Sequence, residues 1–313
     1  METAAEILVR MARDAAPPVV SEFDLYLLAR RLFADRGYGD TPIPPRNRTL
    51  SARRARTLVS QAIWNPAFTL TREAPPNKLP YDPEFLSPLY IAGQGDTVAV
   101  MMAADPFCCL SHTSAVAFHG LGNESSDVHL VAPDRAGWVG RAARLMEQTI
   151  GKPIYDIDSE DVPFRPVRPR CDVMVRGRRV HRHEMRHPIV AAERGNLRAT
   201  AIGETFRDSL DKPEWCGGID AVIALWQRYA ADHRDAIIAT VDASSEKILR
   251  VRAGYLLEEM LGIDDPRVAA WMSDAQRGSS RKLDAAAPYA SRFSARWMLS
   301  INVADASLPS QTL

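Results

Sequence analysis

Apolar residues recur at helical spacing three times in the first 66 positions, and each run carries its own punctuation. Thr3 with Glu6 has the spacing of a capping box, in which each side chain satisfies an N–H that the first helical turn leaves open. Leu8, Met11, Ala12 and Ala15 follow on one face, and Pro17-Pro18 ends the run. Ser21 with Asp24 opens a second helix, striped by Leu25, Leu28, Ala29, Leu32 and Phe33. Gly37 is expected as its C′ residue, because glycine takes positive φ without a Cβ clash. Ser51 opens a third, striped by Ala55, Leu58, Val59, Ala62 and Ile63 and stopped by Pro66. Pro75, Pro76, Pro80, Pro83 and Pro88 then exclude a helix or a central strand. Runs 89–92 and 97–102 read as strands around Gly93-Gln94-Gly95, a hairpin signal. Three short helices closed by a hairpin is the plan of a winged helix-turn-helix domain, expected over 1–104.

After Asp105-Pro106 the texture changes. Positions 107–110 read as a strand, 111–119 as a short helix closed by Gly120, and 128–132 as another strand. From 172 to 200, alternation suggests a twisted antiparallel sheet. Beyond Gly203 helices dominate, around 204–210, 218–231, 246–261 and 265–275, with a last strand near 297–303. The expected class is α+β: the winged helix followed by a larger mixed α/β domain over 105–313, strands first and helices later.

A chain of 313 residues suits two domains, and 46% hydrophobic with 25% charged residues is the ordinary globular range. Lys+Arg and Asp+Glu both number 39, so the formal charge is zero and only its distribution can point to a partner. Cys108, Cys109, Cys171 and Cys216 lack the spacing of a zinc site or a disulfide framework, which predicts free thiols in a reducing compartment. No stretch of about 18 apolar residues spans a membrane, and acids among the first apolar residues argue against a signal peptide. A cytoplasmic protein is expected.

Charge is concentrated on the third helix. With its stripe facing inward, Arg53, Arg54, Arg56, Thr57, Ser60 and Gln61 face solvent. Arg46 and Arg48 lie upstream, Arg72 and Lys78 downstream, and between 46 and 78 Glu73 is the only acid. Arginine bridges guanine O6 and N7, and glutamine bridges adenine N6 and N7. A neutral protein that gathers cations on one element has the footprint expected for DNA contact. Arg46 and Arg48 suit phosphate; Thr57, Ser60 and Gln61 suit base edges; Lys78 is placed to reach the backbone. The competing reading is a merely solvated face.

Other clusters tempt toward catalysis. His181, His183, Glu184 and His187 offer metal ligands, but Arg178, Arg179, Arg182 and Arg186 interleave with them and oppose a cation. A polar, solvated hairpin is expected instead. Ser111, His112, Ser114 and His119 contain a nucleophile and a base, yet Ser111 occupies the natural N-cap position of a short helix and no G-x-S-x-G elbow surrounds it. Gly217-Gly218 precedes a helix as an anion nest would, but Asp211, Glu214 and Asp220 around it repel phosphate. No enzyme activity, metal or cofactor is expected.

Five blocks together resemble the AbiEi family of antitoxins. The run PFCCLSHTSAVAFHGLGN over 106–123, with Ser111, His112, Ser114 and His119, is similar to the start of that family's antitoxin domain. Ala199-Thr200 through Asp208, then Leu210-Asp211-Lys212-Pro213 and Gly217-Gly218, resembles its second block. RAGYLLE over 252–258, with Arg252 and Tyr255, resembles a third; Arg281-Lys282-Leu283 and Trp297 to Asn302 resemble the last two. The likeness covers about 100–303. Glu204 stands where the family often has arginine, so no role of that arginine carries over. The resemblance implies an antitoxin that also represses its own operon. Its winged helix would bind inverted repeats in operator DNA, where paired half-sites suit cooperative self-association of two copies. Its second domain would counteract a cognate nucleotidyltransferase-like toxin, with or without direct contact. The alternative is a stand-alone winged-helix regulator whose C-terminal domain senses a ligand or a protein.

Overall fold

The computed structural model describes residues 2–43, 49–70, 89–91, 93–158, 162–166, 168–169, 173–186, 188–276 and 281–304. The expected α+β class holds. The chain divides into two compact units, each assembled from separate stretches. The first comprises Met1–Cys108, Ala132–Pro188 and Gly195–Leu197; the second comprises Cys109–Val131, Ile189–Arg194 and Arg198–Leu313. The expected boundary at 104/105 lies beside the first crossing, and the stretch from 132 to 188 returns to the first unit.

The first unit opens with α1 (Ala4–Asp14), β1 (Val19–Ser21), α2 (Glu22–Ala34), the two-residue strands β2 (Gly37–Tyr38) and β3 (Thr41–Pro42), and α3 (Ala52–Ile63). The caps form as their spacing predicts. Glu6 N–H donates to Thr3 Oγ1 at 3.2 Å, while Thr3 N–H donates to Glu6 Oε2 at 2.7 Å. Ser21 and Asp24 repeat that exchange at α2, and Arg54 N–H donates to Ser51 Oγ at 3.3 Å at α3. The stripes close a core of Leu8, Val9, Ala12, Phe23, Leu25, Ala29, Ala55, Val59 and Ala62. Gly37 departs from expectation. The left-handed residue after α2 is Arg36 (φ 59°), and Gly37 pairs with Pro42, where a Cβ would meet Thr41 O at 2.6 Å.

The hairpin is corrected. β4 (Thr69–Leu70) and β5 (Leu89–Ile91) pair antiparallel, and β1 adds to the other side of β5. Helix, strand, two helices and a closing strand pair is the winged-helix order. The wing pair is therefore β4–β5 rather than the two runs around Gly93-Gln94-Gly95. Residues 97–102, read as a strand, belong to α4 (Thr97–Ala104). Asp96 caps it through Ala99 N–H at 2.8 Å, and Ala99, Met101, Met102 and Ala103 are good helix formers. A uniformly apolar run has no period by which to tell helix from strand.

Next come β6 (Cys109–Leu110), α5 (His112–Phe118), β7 (Val128–Pro133), α6 (Arg135–Ile150), β8 (Val173–Val175), β9 (Arg178–Met185), β10 (Ala191–Arg194) and β11 (Leu197–Thr200). The strands join a six-stranded mixed sheet; β6 runs parallel to β11 and antiparallel to β7, and β8 runs antiparallel to β9. The helical part of the second unit follows: α7 (Ile202–Asp211), α8 (Ile219–Tyr229), α9 (Arg234–Asp242), α10 (Lys247–Gly254) continued as a π-helix over Tyr255–Met260, α11 (Pro266–Ala270), and the pair β12 (Phe293–Ser294) and β13 (Leu299–Ser300). Its core gathers Phe206, Leu210, Ile223, Trp226, Ile237, Leu256 and Trp297. Among the described residues, no helix is long and apolar enough to cross a membrane.

Candidate nucleic-acid interface

The outer face of α3 is built as its pattern predicts. Ala55, Leu58, Val59 and Ala62 are buried, while Arg53, Arg56, Thr57, Ser60 and Gln61 are exposed. The helix has no acid in its first turn. Its N-terminal end carries the positive pole of the helix dipole, which adds to the arginines in attracting an anion. Two residues behave differently from expectation. Arg54 is half-buried: its guanidinium stacks over Phe33 at 4.7 Å and donates to Thr49 O at 3.5 Å, so it braces the segment leading into the helix. Thr57 donates its hydroxyl to Arg53 O at 3.1 Å, which occupies the proton but leaves the oxygen able to accept. Arg46, Arg48 and Lys78 lie outside the described residues, as does Arg72.

One residue on this face was not singled out in the sequence. Trp64, at the C-cap of α3, is 83% exposed. Its signal is the spacing of Arg53, Thr57, Ser60 and Trp64, which places all four on one line down the helix, opposite the buried stripe.

In the first unit, the expected solvated hairpin at 178–185 is corrected in part. Arg182 is buried and donates to Asp105 Oδ2 at 3.0 Å, and Asp105 Oδ1 accepts from Trp138 Nε1 at 3.0 Å. An inward arginine on β9 is paired with this carboxylate, and the half-buried His181 and His183 occupy the other face. Among the described residues no group of three metal-ligating side chains converges; His187 lies outside them.

From Ser111 onward, the residues of the five sequence blocks lie inside the second unit. Ser111 precedes α5 as expected, but its hydroxyl caps nothing. His112 sits at φ 49°, and Ser111 Oγ meets His112 Nδ1 at 3.0 Å instead. Both are closed to solvent, at 0% and 2% exposure, in an aromatic cluster where His112 packs edge-on to Trp215 at 4.9 Å and near His129 at 6.0 Å. Ser114 Oγ accepts from His129 N–H at 3.0 Å. His119 Nε2 lies 2.9 Å from Thr200 O, which places its proton on Nε2, and burial lowers its pKa.

Asp208 on α7 is buried and paired with Arg207 at 2.7 Å, while its Oδ2 has no hydrogen-bond partner. Burial raises its pKa despite the guanidinium. Burial also pushes the neighbouring Cys216 thiol up to about 12. Cys108, Cys109 and Cys216 are buried thiols, and Cys171 lies outside the described residues. Gly217 and Gly218 take φ of 87° and 90° in the turn before α8, where L side chains are strained. Arg252, 5% exposed, donates to Leu210 O and Lys282 O, each at 3.0 Å. Tyr255 is buried beside it in sequence, and Gly254 touches Trp297 so closely that a Cβ would lie 2.2 Å from the indole. Lys282 donates to Ala287 O at 2.7 Å, and Arg281 O accepts from Ser300 N–H at 2.9 Å. Asn302 Nδ2 donates to Asp284 O at 2.8 Å. These residues are joints of a scaffold.

No protein-family model matches the chain, and no curated protein does. A solved structure of the Rv2827c protein from Mycobacterium tuberculosis resembles it with a TM-score of 0.46 and 14% identity, over 95% of this chain and 90% of that one.

Proposed function

We propose that this chain is a cytoplasmic winged-helix autorepressor and antitoxin of the AbiEi kind. The observation that carries the DNA-binding half is the outer face of α3, where Arg53, Arg56, Thr57, Ser60 and Gln61 are exposed together without an acid among them. Arg53 and Arg56 supply charge to phosphates, and Ser60 and Gln61 supply donors and acceptors to base edges. The winged-helix order of the first unit supports this use of its third helix.

The antitoxin half rests on the resemblance over about 100–303. Its partner is a nucleotidyltransferase-like toxin encoded beside it. No catalytic step or cofactor is assigned to this chain. The burial of Ser111 and His112 favours that reading over a hydrolase.

Two experiments test the two halves separately. In a gel-shift assay at low ionic strength, the full chain retards the DNA upstream of its own reading frame in preference to an unrelated duplex. Equal retardation of both contradicts the repressor. Co-expression with the product of the adjoining reading frame restores growth that the product alone arrests; continued arrest contradicts the antitoxin.

A further inference from the structure

We propose that Trp64 is a duplex-contacting residue, seating its indole against the apolar surface of a DNA groove wall formed by thymine methyls and deoxyribose. This inference rests on the DNA-binding reading above and extends it to the chemistry of the helix's other end.

The two ends of α3 differ in kind. The first half carries Arg53 and Arg56 near the positive pole of the helix dipole, which suits phosphate. The last turn holds no basic residue, and its carbonyl pole is negative, which repels phosphate. There the outward line ends in the largest apolar side chain, 83% exposed. Trp64 lies eleven positions after Arg53, about 16 Å at the helical rise of 1.5 Å per residue. The major groove is roughly 12 Å wide, so a helix with Arg53 at one phosphate ridge brings position 64 to the opposite wall.

The backbone that carries the indole is held in place. Trp64 N–H donates to Ser60 O at 3.4 Å, and Asn65 N–H donates to Ala62 O at 3.0 Å. Asn65 Oδ1 accepts from Ala67 N–H at 3.0 Å, and Phe68 is buried in the core. An apolar group on a fixed backbone, at the end of a line of donors, loses little freedom on docking. The cations on the same face select DNA as the occupant through charge complementarity.

The chain has six tryptophans. Trp138, Trp226, Trp271 and Trp297 are buried and Trp215 is half-buried, so acrylamide quenching of the full-length protein reports Trp64 selectively. A short mixed-sequence duplex at low salt is the probe. The duplex is expected to protect the quenchable fraction in the parent protein, and Trp64→Phe is expected to retain binding. Trp64→Ala is expected to weaken binding on the order of ten-fold. Its salt slope should match the parent's, because an indole neutralises no phosphate, whereas Arg53→Ala flattens the slope by about one. If the parent binds the duplex but its quenching is unchanged, or if Trp64→Ala binds as the parent does, the proposal is overturned and the DNA-binding reading stands. Protection that grows with protein concentration alone assigns the indole to a contact between copies and overturns it as well. If the duplex is not bound, both readings fall.

Discussion

The outer face of α3 and the polar residues of the second unit's sequence blocks draw on similar residue types but use them oppositely. On α3, Arg53, Arg56, Ser60 and Gln61 project into solvent from a well-packed helix. In the second unit, Ser111, His112, Arg252 and Asp208 are buried, and each has a hydrogen bond or ion pair to a neighbour within that unit. Arginine shows the contrast most clearly. Arg252 is withdrawn from water and offers donors to two carbonyl groups, whereas Arg53 keeps a charge available to a polyanion. Replacing the first removes support from the fold; replacing the second leaves the fold intact and, on the proposed DNA-binding reading, removes a phosphate contact. A sequence block that looks chemical can therefore be architectural, and the distinction lies in burial.

Substitutions on the two sides separate these roles. Gly254→Val is expected to have the largest effect, because any Cβ meets Trp297 at 2.2 Å. A loss of about 3 kcal/mol or more is expected in denaturant titrations, and a stability within error of the parent would mean that the helix and the indole can part without cost. Arg252→Ala follows, with about 2–3 kcal/mol lost, since carbonyls of Leu210 and Lys282 lose a charged donor. Rescue by Arg252→Lys would show that one amine reaches both, contrary to the two-pronged geometry.

Gln61→Ala belongs to the other side. It should leave melting unchanged and relax preference at one base pair by about 1–3 kcal/mol. A uniform loss across sequences would turn Gln61 into a backbone contact. The smallest effect is a pH dependence. Burial raises the folded-state pKa of Asp208, so the folded protein holds that proton more tightly than the unfolded chain. The ionised carboxylate then costs stability once pH exceeds the unfolded value, near about 3.9. Asp208→Asn should melt above the parent at pH 7, with the gap closing as pH falls toward that value. A constant gap would deny the linkage.

Legibility in the sequence followed the same divide. The first three helices were readable because each pairs a cap with a 3.6-residue apolar period, as at Thr3, Ser21 and Ser51. β1 was not, since three buried residues carry neither alternation nor length. α4 was read as a strand because its run is apolar on every side. α6 was missed although it spans Arg135–Ile150: it buries only Trp138, Ala142 and Met146, and Gly137 and Gly140 interrupt it. On the candidate interface, the donor residues were legible from charge and spacing. Arg54 was not fully so, because its stacking on Phe33 depends on how α2 and α3 pack. Trp64 carries no charge and lies off the apolar stripe, so neither signal points to it. The burial of Arg182 was hidden because an arginine among arginines gives no sign that Asp105, 77 positions away, awaits it.

Docking of the cationic outer face of α3 on duplex DNA is the central proposal. The direct measurement is the salt dependence of affinity for the upstream fragment, with the parent beside the Arg53→Ala/Arg56→Ala double variant. The double variant is predicted to melt as the parent does while its log–log slope flattens by about two, one for each phosphate no longer neutralised. Parallel slopes for two equally folded proteins would contradict it.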